Sequence, residues 1–194
     1  MKQIKKLVTI TLIIVLCVLI YYRYANKEHS GSDANGNQNN MLEIEKVLNK
    51  NLDQYYPKTP LELVKFFTRI QKCYYNENPG DEEIQQLGAL ARQLFDEELL
   101  EENQEDEYYQ SLKEEIEKYK KEDRTIDKVA FDKSSDVVYA TIDNQKTATL
   151  NCVYYMKQGD RITTYEETFI VRKDEEGLWK IYGWKAYETP ELEK

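Results

Sequence analysis

Glu167 is the side chain best placed to do chemistry. It lies in a run where Tyr165, Phe169 and Val171 alternate with Glu166, Thr168 and Arg172. Alternation marks a half-buried strand, so Glu167 falls on the apolar face with Tyr165, Phe169 and Val171. A carboxylate moved into a dry pocket resists ionisation, and its pKa rises toward the range where it can give or take a proton. The ordinary alternatives are a strand-end bulge, or a Glu167 paired with a lysine or a tyrosine hydroxyl. With 36 acids in the chain, carboxylate pairs arise by accident, and no catalytic residue is assigned.

Other chemistries find less support. His29 is the only histidine, and it lies in a polar stretch outside the patterned region, so histidine-based nucleophile activation has no base there. No Gly-x-Ser-x-Gly elbow is present. Cys73 sits at the edge of an apolar helix face and Cys152 on an apolar strand face; both read as small buried hydrophobes, with a disulfide between them as the alternative. Two distant cysteines and one histidine do not make a zinc site. Asp96–Glu107 holds eight acids, but in a helical pattern without the glycine turn of a calcium loop, so it reads as a solvated helix face. No metal and no cofactor is expected.

Aromatic residues supply the remaining candidates. There are sixteen tyrosines, among them the doublets Tyr55-Tyr56, Tyr74-Tyr75, Tyr108-Tyr109 and Tyr154-Tyr155. Each doublet is expected to place one ring inward and one outward, which suits a carbohydrate or peptide surface; the alternative is a bias of composition. A pocket lined by Phe67, Tyr74, Cys152, Tyr154, Glu167 and Trp184 is expected.

These residues depend on two kinds of element. Thr59-Pro60-Leu61-Glu62 combines an N-cap threonine, a proline at the first helical position and a glutamate three residues on, the pattern of a capping box. The helix that follows carries Leu63, Phe66, Phe67, Ile70 and Tyr74 on one face and Lys65, Arg69 and Lys72 on the other. Before it, Met41–Tyr56 has the spacing of one amphipathic helix. After Asn78-Pro79-Gly80, Asp81 is expected to cap a helix with Ile84, Leu87, Ala91, Leu94 and Phe95 inward; Gly88 falls on that face, where it permits a close crossing. A further helix is expected over about Glu105–Asp123, presenting Tyr108, Leu112, Ile116 and Tyr119.

From Thr125 the three-to-four spacing gives way to alternation. Val129 and Phe131 form one set, Val138, Ala140 and Ile142 a second, Leu150, Cys152, Tyr154 and Met156 a third. The Tyr165–Val171 run and a last run with Trp179, Ile181 and Trp184 follow. Asn144-Gln145, Gln158-Gly159-Asp160 and Asp174–Gly177 punctuate them as tight connections, so the sheet is antiparallel. Helices first and strands after define an α+β domain, with the helices on the concave face of one curved sheet.

Leu7–Tyr22 is an uncharged apolar run preceded by Lys2, Lys5 and Lys6. It is just short of the usual span, but Tyr21, Tyr22 and Tyr24 suit the interfacial belt and flanking Lys and Arg can snorkel. A cleaved signal peptide is the alternative, although Tyr22-Arg23-Tyr24-Ala25 is bulky where cleavage needs small residues. The basic flank places the amino terminus in the cytoplasm and the rest outside, at the cell membrane, or secreted if the segment is cleaved. The expected division is an anchor over 1–24, a polar tether over 25–40 without large apolar side chains, and an extracytoplasmic domain over 41–194. The chain carries a net charge of −9. Lys2, Lys5, Lys6 and Arg23 precede Tyr24 and no acid does, so the domain is more acidic still. That argues against nucleic acid as a partner.

The helix-then-sheet pattern over roughly Pro57 to Glu188, with a last hairpin reading TFIVRKDEEGLWKIYGW and ending Gly177-Leu178-Trp179-Lys180-Ile181, resembles the nuclear-transport-factor-two-like fold, the cystatin-like or SnoaL-like cone. The apolar run, the asparagine-rich stretch and the YYPKTPLELVKFFTRI opening are similar to a bacterial membrane-anchored family with such a domain, and that resemblance implies no activity. Enzymes of the fold, such as ketosteroid isomerases and dehydratases, use an acid or base inside the cone; no motif here carries those residues over. The expected function is a non-enzymatic, membrane-tethered module that binds an envelope protein or a peptide. A cone enzyme using Glu167, or a structural subunit of an envelope secretion or conjugation complex, are the alternatives. The oligomeric state is not legible.

Overall fold

The computed structural model describes residues 42–188. The expected anchor at Leu7–Tyr22, the tether with His29, and the end of the chain lie outside the described residues. Among the described residues, no helix is long and apolar enough to cross a membrane.

Among the described residues six helices lead: α1 (Glu43–Leu48), α2 (Leu52–Tyr55), α3 (Pro60–Asn76), α4 (Asp81–Arg92), α5 (Glu97–Glu102) and α6 (Glu105–Lys121). Five strands follow: β1 (Arg124–Phe131), β2 (Val138–Ile142), β3 (Gln145–Gln158), β4 (Arg161–Lys173) and β5 (Trp179–Glu188). The fold is α+β, with the helices packed on one curved antiparallel sheet. Strand order is β1-β3-β4-β5, and β2 pairs with the first part of β3. Bulges interrupt β1 between Ile126 and Lys128, and the β4–β5 pair between Ile170 and Val171; such bulges bend and twist a strand locally.

The single helix expected over Met41–Tyr56 is two. Asn49 ends α1, and the Asn51 side chain accepts from the Gln54 amide at 3.2 Å to start α2; asparagine favours caps and turns over helix interiors. The α3 start has the expected Thr59 cap, whose Oγ1 accepts from the Glu62 amide at 3.1 Å. Glu62 reaches back to the Lys58 amide at 2.9 Å, one residue beyond the usual capping-box target. The cap of α4 is Gly80 rather than Asp81. The Gly80 amide donates to Glu83 Oε2 at 2.8 Å, and Asp81 stands inside the first turn. Helix α6 opens on Glu105, Asp106 and Glu107 and closes on Lys118, Lys120 and Lys121, charges that match the helix dipole at each end.

The core lies between α3, α4 and the inner face of β3, β4 and β5. Leu63, Ile70, Leu87 and Leu94 meet Leu150, Phe169, Val171 and Ile181, all fully buried. Cys73 and Cys152 are buried and unpaired, and burial pushes each thiol up to about 12. The expected alternation in Val138–Ile142 fails: all of β2 is exposed. It pairs only with Gln145–Thr149 on β3 and forms an outer edge. Its connection to β3 turns at Asp143 and Asn144, both with positive φ (49° and 65°), one residue before the expected Asn144-Gln145. Two positive φ angles in succession are the mark of a type I′ hairpin.

At Gly88 the chain makes the close approach expected there. A Cβ at this position would lie 2.4 Å from Tyr109 Cε1, and the Tyr109 hydroxyl is held by the Gln85 carbonyl at 3.1 Å. Gly88→Val is therefore expected to part α4 from α6 and cost about 2–3 kcal/mol in chemical denaturation, against less than about 1 kcal/mol if the ring simply swings away.

Candidate functional site

A cleft of about 320 Å³ opens between the helices and the sheet. Six elements each give it two residues, and the spacing follows from their geometry. Helices α3 and α6 supply Gln71 with Tyr75 and Glu115 with Tyr119, four apart and so on one helix face. Strands supply Arg124 with Ile126, Tyr154 with Met156, Tyr165 with Glu167, and Trp184 with Ala186, two apart and so on one sheet face. The register aligns them: Tyr154 stands opposite Tyr165, Glu167 opposite Ala186, and Phe169 opposite Trp184.

The walls are aromatic. Tyr75 and Tyr119 stack with centroids 4.2 Å apart. Trp184 stacks on Phe169 at 5.9 Å and leans on Phe67 at 5.4 Å. It remains 40% exposed, so an indole stands open at the cleft. Arg124 lies 4.7 Å over the Tyr119 ring and 5.7 Å over Tyr165, and its Nη1 reaches Glu122 at 3.3 Å.

Two carboxyls line the cleft. Glu167 is largely buried, and its Oε2 is buried without a hydrogen-bond partner. Burial pushes its pKa up to about 7; the Tyr154 hydroxyl pulls the other way, and the like charge of Glu115 adds to the rise. Glu115 is also raised by burial, against the Tyr75 hydroxyl, Lys118 and Arg124. The Tyr154 hydroxyl donates to Gln71 Oε1 at 2.6 Å. A hydroxyl carries one proton, so while Gln71 takes it the carboxylate of Glu167 does not. Burial holds the hydroxyls of Tyr75 and Tyr154 well above the ordinary tyrosine range.

Of the six residues expected to line one pocket, the structure brings Tyr154, Glu167 and Trp184 to this cleft. Phe67 and Cys152 belong to the core beneath it; Phe67 supports Trp184, and Cys152 stands opposite Glu167 in the register. Tyr74 lines a smaller recess of about 110 Å³, which shares Tyr75, Tyr119 and Arg124 with the cleft. Gln71, Tyr75, Glu115, Tyr119, Arg124 and Tyr165 were missed as lining residues. Their signal was present as pairs at four-residue spacing in helices and two-residue spacing in strands, but which helix face meets which strand face is a tertiary fact. The helical doublet Tyr74-Tyr75 departs from the one-in, one-out expectation. Tyr74 is buried and its neighbour Tyr75 faces the cleft, because consecutive helix positions lie about 100° apart rather than opposite. Tyr55 is well exposed, while the Tyr56 hydroxyl is tied to the Trp179 carbonyl at 2.9 Å.

Among the described residues no group of three or more acidic, histidine or cysteine side chains is arranged to hold a metal. The site is thus defined, among the described residues, by an α+β body with an aromatic cleft and a carboxyl that keeps one buried oxygen unpartnered. Over residues 1–184 the sequence matches the family described as a domain of unknown function, DUF6715, and the chain belongs to that family. No curated protein matches it.

Proposed function

We propose that this chain is a non-enzymatic, membrane-tethered module that presents a ligand-binding domain outside the cell. The apolar run Leu7–Tyr22 with its basic flank supports the tether, and the order of helices before an antiparallel sheet supports a cone of the cystatin-like kind. The cleft carries the binding reading. It sets the rings of Tyr75, Tyr119, Tyr154, Tyr165 and Trp184 among Gln71, Glu115, Arg124 and Glu167, and leaves the Trp184 indole open to a partner. The occupant is a small molecule, or a side chain or terminus of an envelope protein or peptide.

Two measurements test this. The intact chain is expected to sediment with membranes and resist alkaline extraction, with its C-terminal domain cut by protease added to spheroplasts; a freely soluble cytosolic chain contradicts the tether. Native mass spectrometry of the detergent-extracted full chain is expected to show an adduct that Trp184→Ala loses. A bare mass in every preparation, with no partner crosslinked through Trp184, contradicts the binding reading.

A second reading has its own support. A carboxyl with a pKa of about 7 is matched to general acid–base work near neutrality, so Glu167 is the residue an enzyme built on this cleft would use. Glu167→Gln would then abolish turnover of a substrate found by screening while the fold is kept. Turnover that survives the substitution contradicts this reading.

A further inference from the structure

Glu167 keeps one buried carboxyl oxygen without a hydrogen-bond partner, and the cation that shares its cleft, Arg124, is held over Tyr119 and beside Glu122. We propose that the cleft binds an organic cation, an ammonium group seated at the Glu167 carboxyl against the Trp184 indole. The proposal rests on the reading of the cleft as a ligand site.

Three observations carry it. Glu167 Oε2 is buried and unpartnered, so the carboxyl needs either a proton or a positive charge against it. The second carboxyl, Glu115, lines the same cleft and adds negative potential there. Aromatic faces attract cations, and the cleft already shows this: Arg124 lies over Tyr119 and Tyr165. Among the described residues the cations found over rings leave Trp184 uncovered. That indole, half exposed beside Ala186 opposite Glu167, is the open cation seat. A metal ion is disfavoured because two carboxyls are the only anionic ligands in the lining, and rings do not replace hard oxygen donors.

The proton follows from the neighbours. The titratable and charged groups facing Glu167 are Tyr75 from α3, Glu115 and Tyr119 from α6, Arg124 from β1, Cys152 and Tyr154 from β3 and Tyr165 from its own strand; β5 contributes only Trp184 and Ala186 to the lining. Tyr75, Tyr119, Tyr154 and Cys152 are all raised by burial and stay neutral at physiological pH. Arg124 stays charged. Glu167, raised to about 7, is the group whose charge changes near neutrality. An incoming cation favours the ionised form, and the displaced proton leaves to solvent.

The test uses the full chain in a neutral detergent, with choline chloride as cation and 3,3-dimethyl-1-butanol as its uncharged isostere, each titrated by tryptophan fluorescence at pH 6 and pH 8. Choline is expected to saturate and to bind roughly tenfold tighter at pH 8, since one proton with a pKa near 7 is displaced. The isostere is expected to bind at least about tenfold more weakly, the loss of one charged contact. Glu167→Gln, nearly isosteric, is expected to weaken choline and remove its pH dependence. Trp184→Ala, at an exposed ring, is expected to weaken choline, read by calorimetry, and keep the pH dependence. Equal binding of choline and the isostere overturns the cation while leaving the cleft as a ligand site. Absence of saturable choline binding at both pH values, or binding unchanged by Glu167→Gln, overturns the proposal outright.

Discussion

Asp96→Ala is expected to cost about 3–5 kcal/mol of folding stability, the range for removing one partner of a buried ion pair. Asp96 joins three parts of the fold. Its carboxylate takes both arms of Arg172, with Nε to Oδ2 at 2.6 Å and Nη2 to Oδ1. Oδ1 also caps α5 by accepting from the Glu98 amide at 3.0 Å. Its backbone amide donates to the Ile181 carbonyl at 2.9 Å, and the Ile181 amide donates back to Leu94 at 2.7 Å, where Phe95 makes a parallel bridge to β5. The Asp96 side chain is only 6% exposed and that of Arg172 15%, so water cannot replace the lost partner. Arg172 would keep Glu98, at 2.8 Å on the exposed side, and the Tyr182 ring 4.3 Å away. Asp96→Asn keeps the cap and is expected to cost less. Asp96→Ala with Arg172→Met removes both charges and is expected to recover much of the loss, because an apolar pair needs no solvation. Urea unfolding of the three variants measures this; a cost below about 1 kcal/mol for Asp96→Ala would place the pair among surface ion pairs.

Glu167→Gln is expected to act in the opposite direction and to depend on pH. In the folded chain burial holds the Glu167 proton up to about pH 7, against an ordinary value of 4.5. Between those values the unfolded chain binds fewer protons than the folded one, so stability falls as pH rises. The contribution is intact below about 4.5 and gone above about 7. A shift of that size corresponds to about 3 kcal/mol as an upper figure. Glutamine does not titrate. The variant is therefore expected to match the parent chain at pH 4 and to exceed it by up to about 3 kcal/mol at pH 8, measured by urea unfolding at both pH values. Equal stability at pH 8 would mean that the carboxyl is solvated. A side chain that costs stability where glutamine would not is what a functional site looks like energetically.

The helical half was legible because its signals are local. Thr59-Pro60 and the three-to-four spacing of Leu63, Phe67, Ile70 and Tyr74 mark α3 without reference to anything else in the chain. Boundaries slipped where one residue can serve two roles, as at Gly80 against Asp81, or where asparagines cut a periodic run, as at Asn49 and Asn51. Alternation placed Glu167 and Tyr154 on the inner face. It misjudged Val138–Ile142, because alternation reports a face and not whether anything covers it. The cleft itself was half legible. Tyr154, Glu167 and Trp184 follow from strand parity, whereas Gln71, Tyr75, Glu115 and Tyr119 depend on how α3 and α6 turn toward the sheet. Asn76 shows the same limit. It sits at the end of α3, and its side chain both donates to the Ile126 carbonyl and accepts from the Ile126 amide, each at 2.9 Å. That holds the helix to β1 just before its bulge, and nothing in the local sequence distinguishes it from a surface asparagine.

Glu167 is expected to keep its proton up to near neutrality within the cleft. Following its side-chain carboxyl carbon by nuclear magnetic resonance across pH 3 to 9, with Glu167→Gln to assign the signal, tests it most directly. A midpoint near 7 that falls when choline is added is the predicted result. A midpoint near 4.5, unmoved by choline, would contradict it.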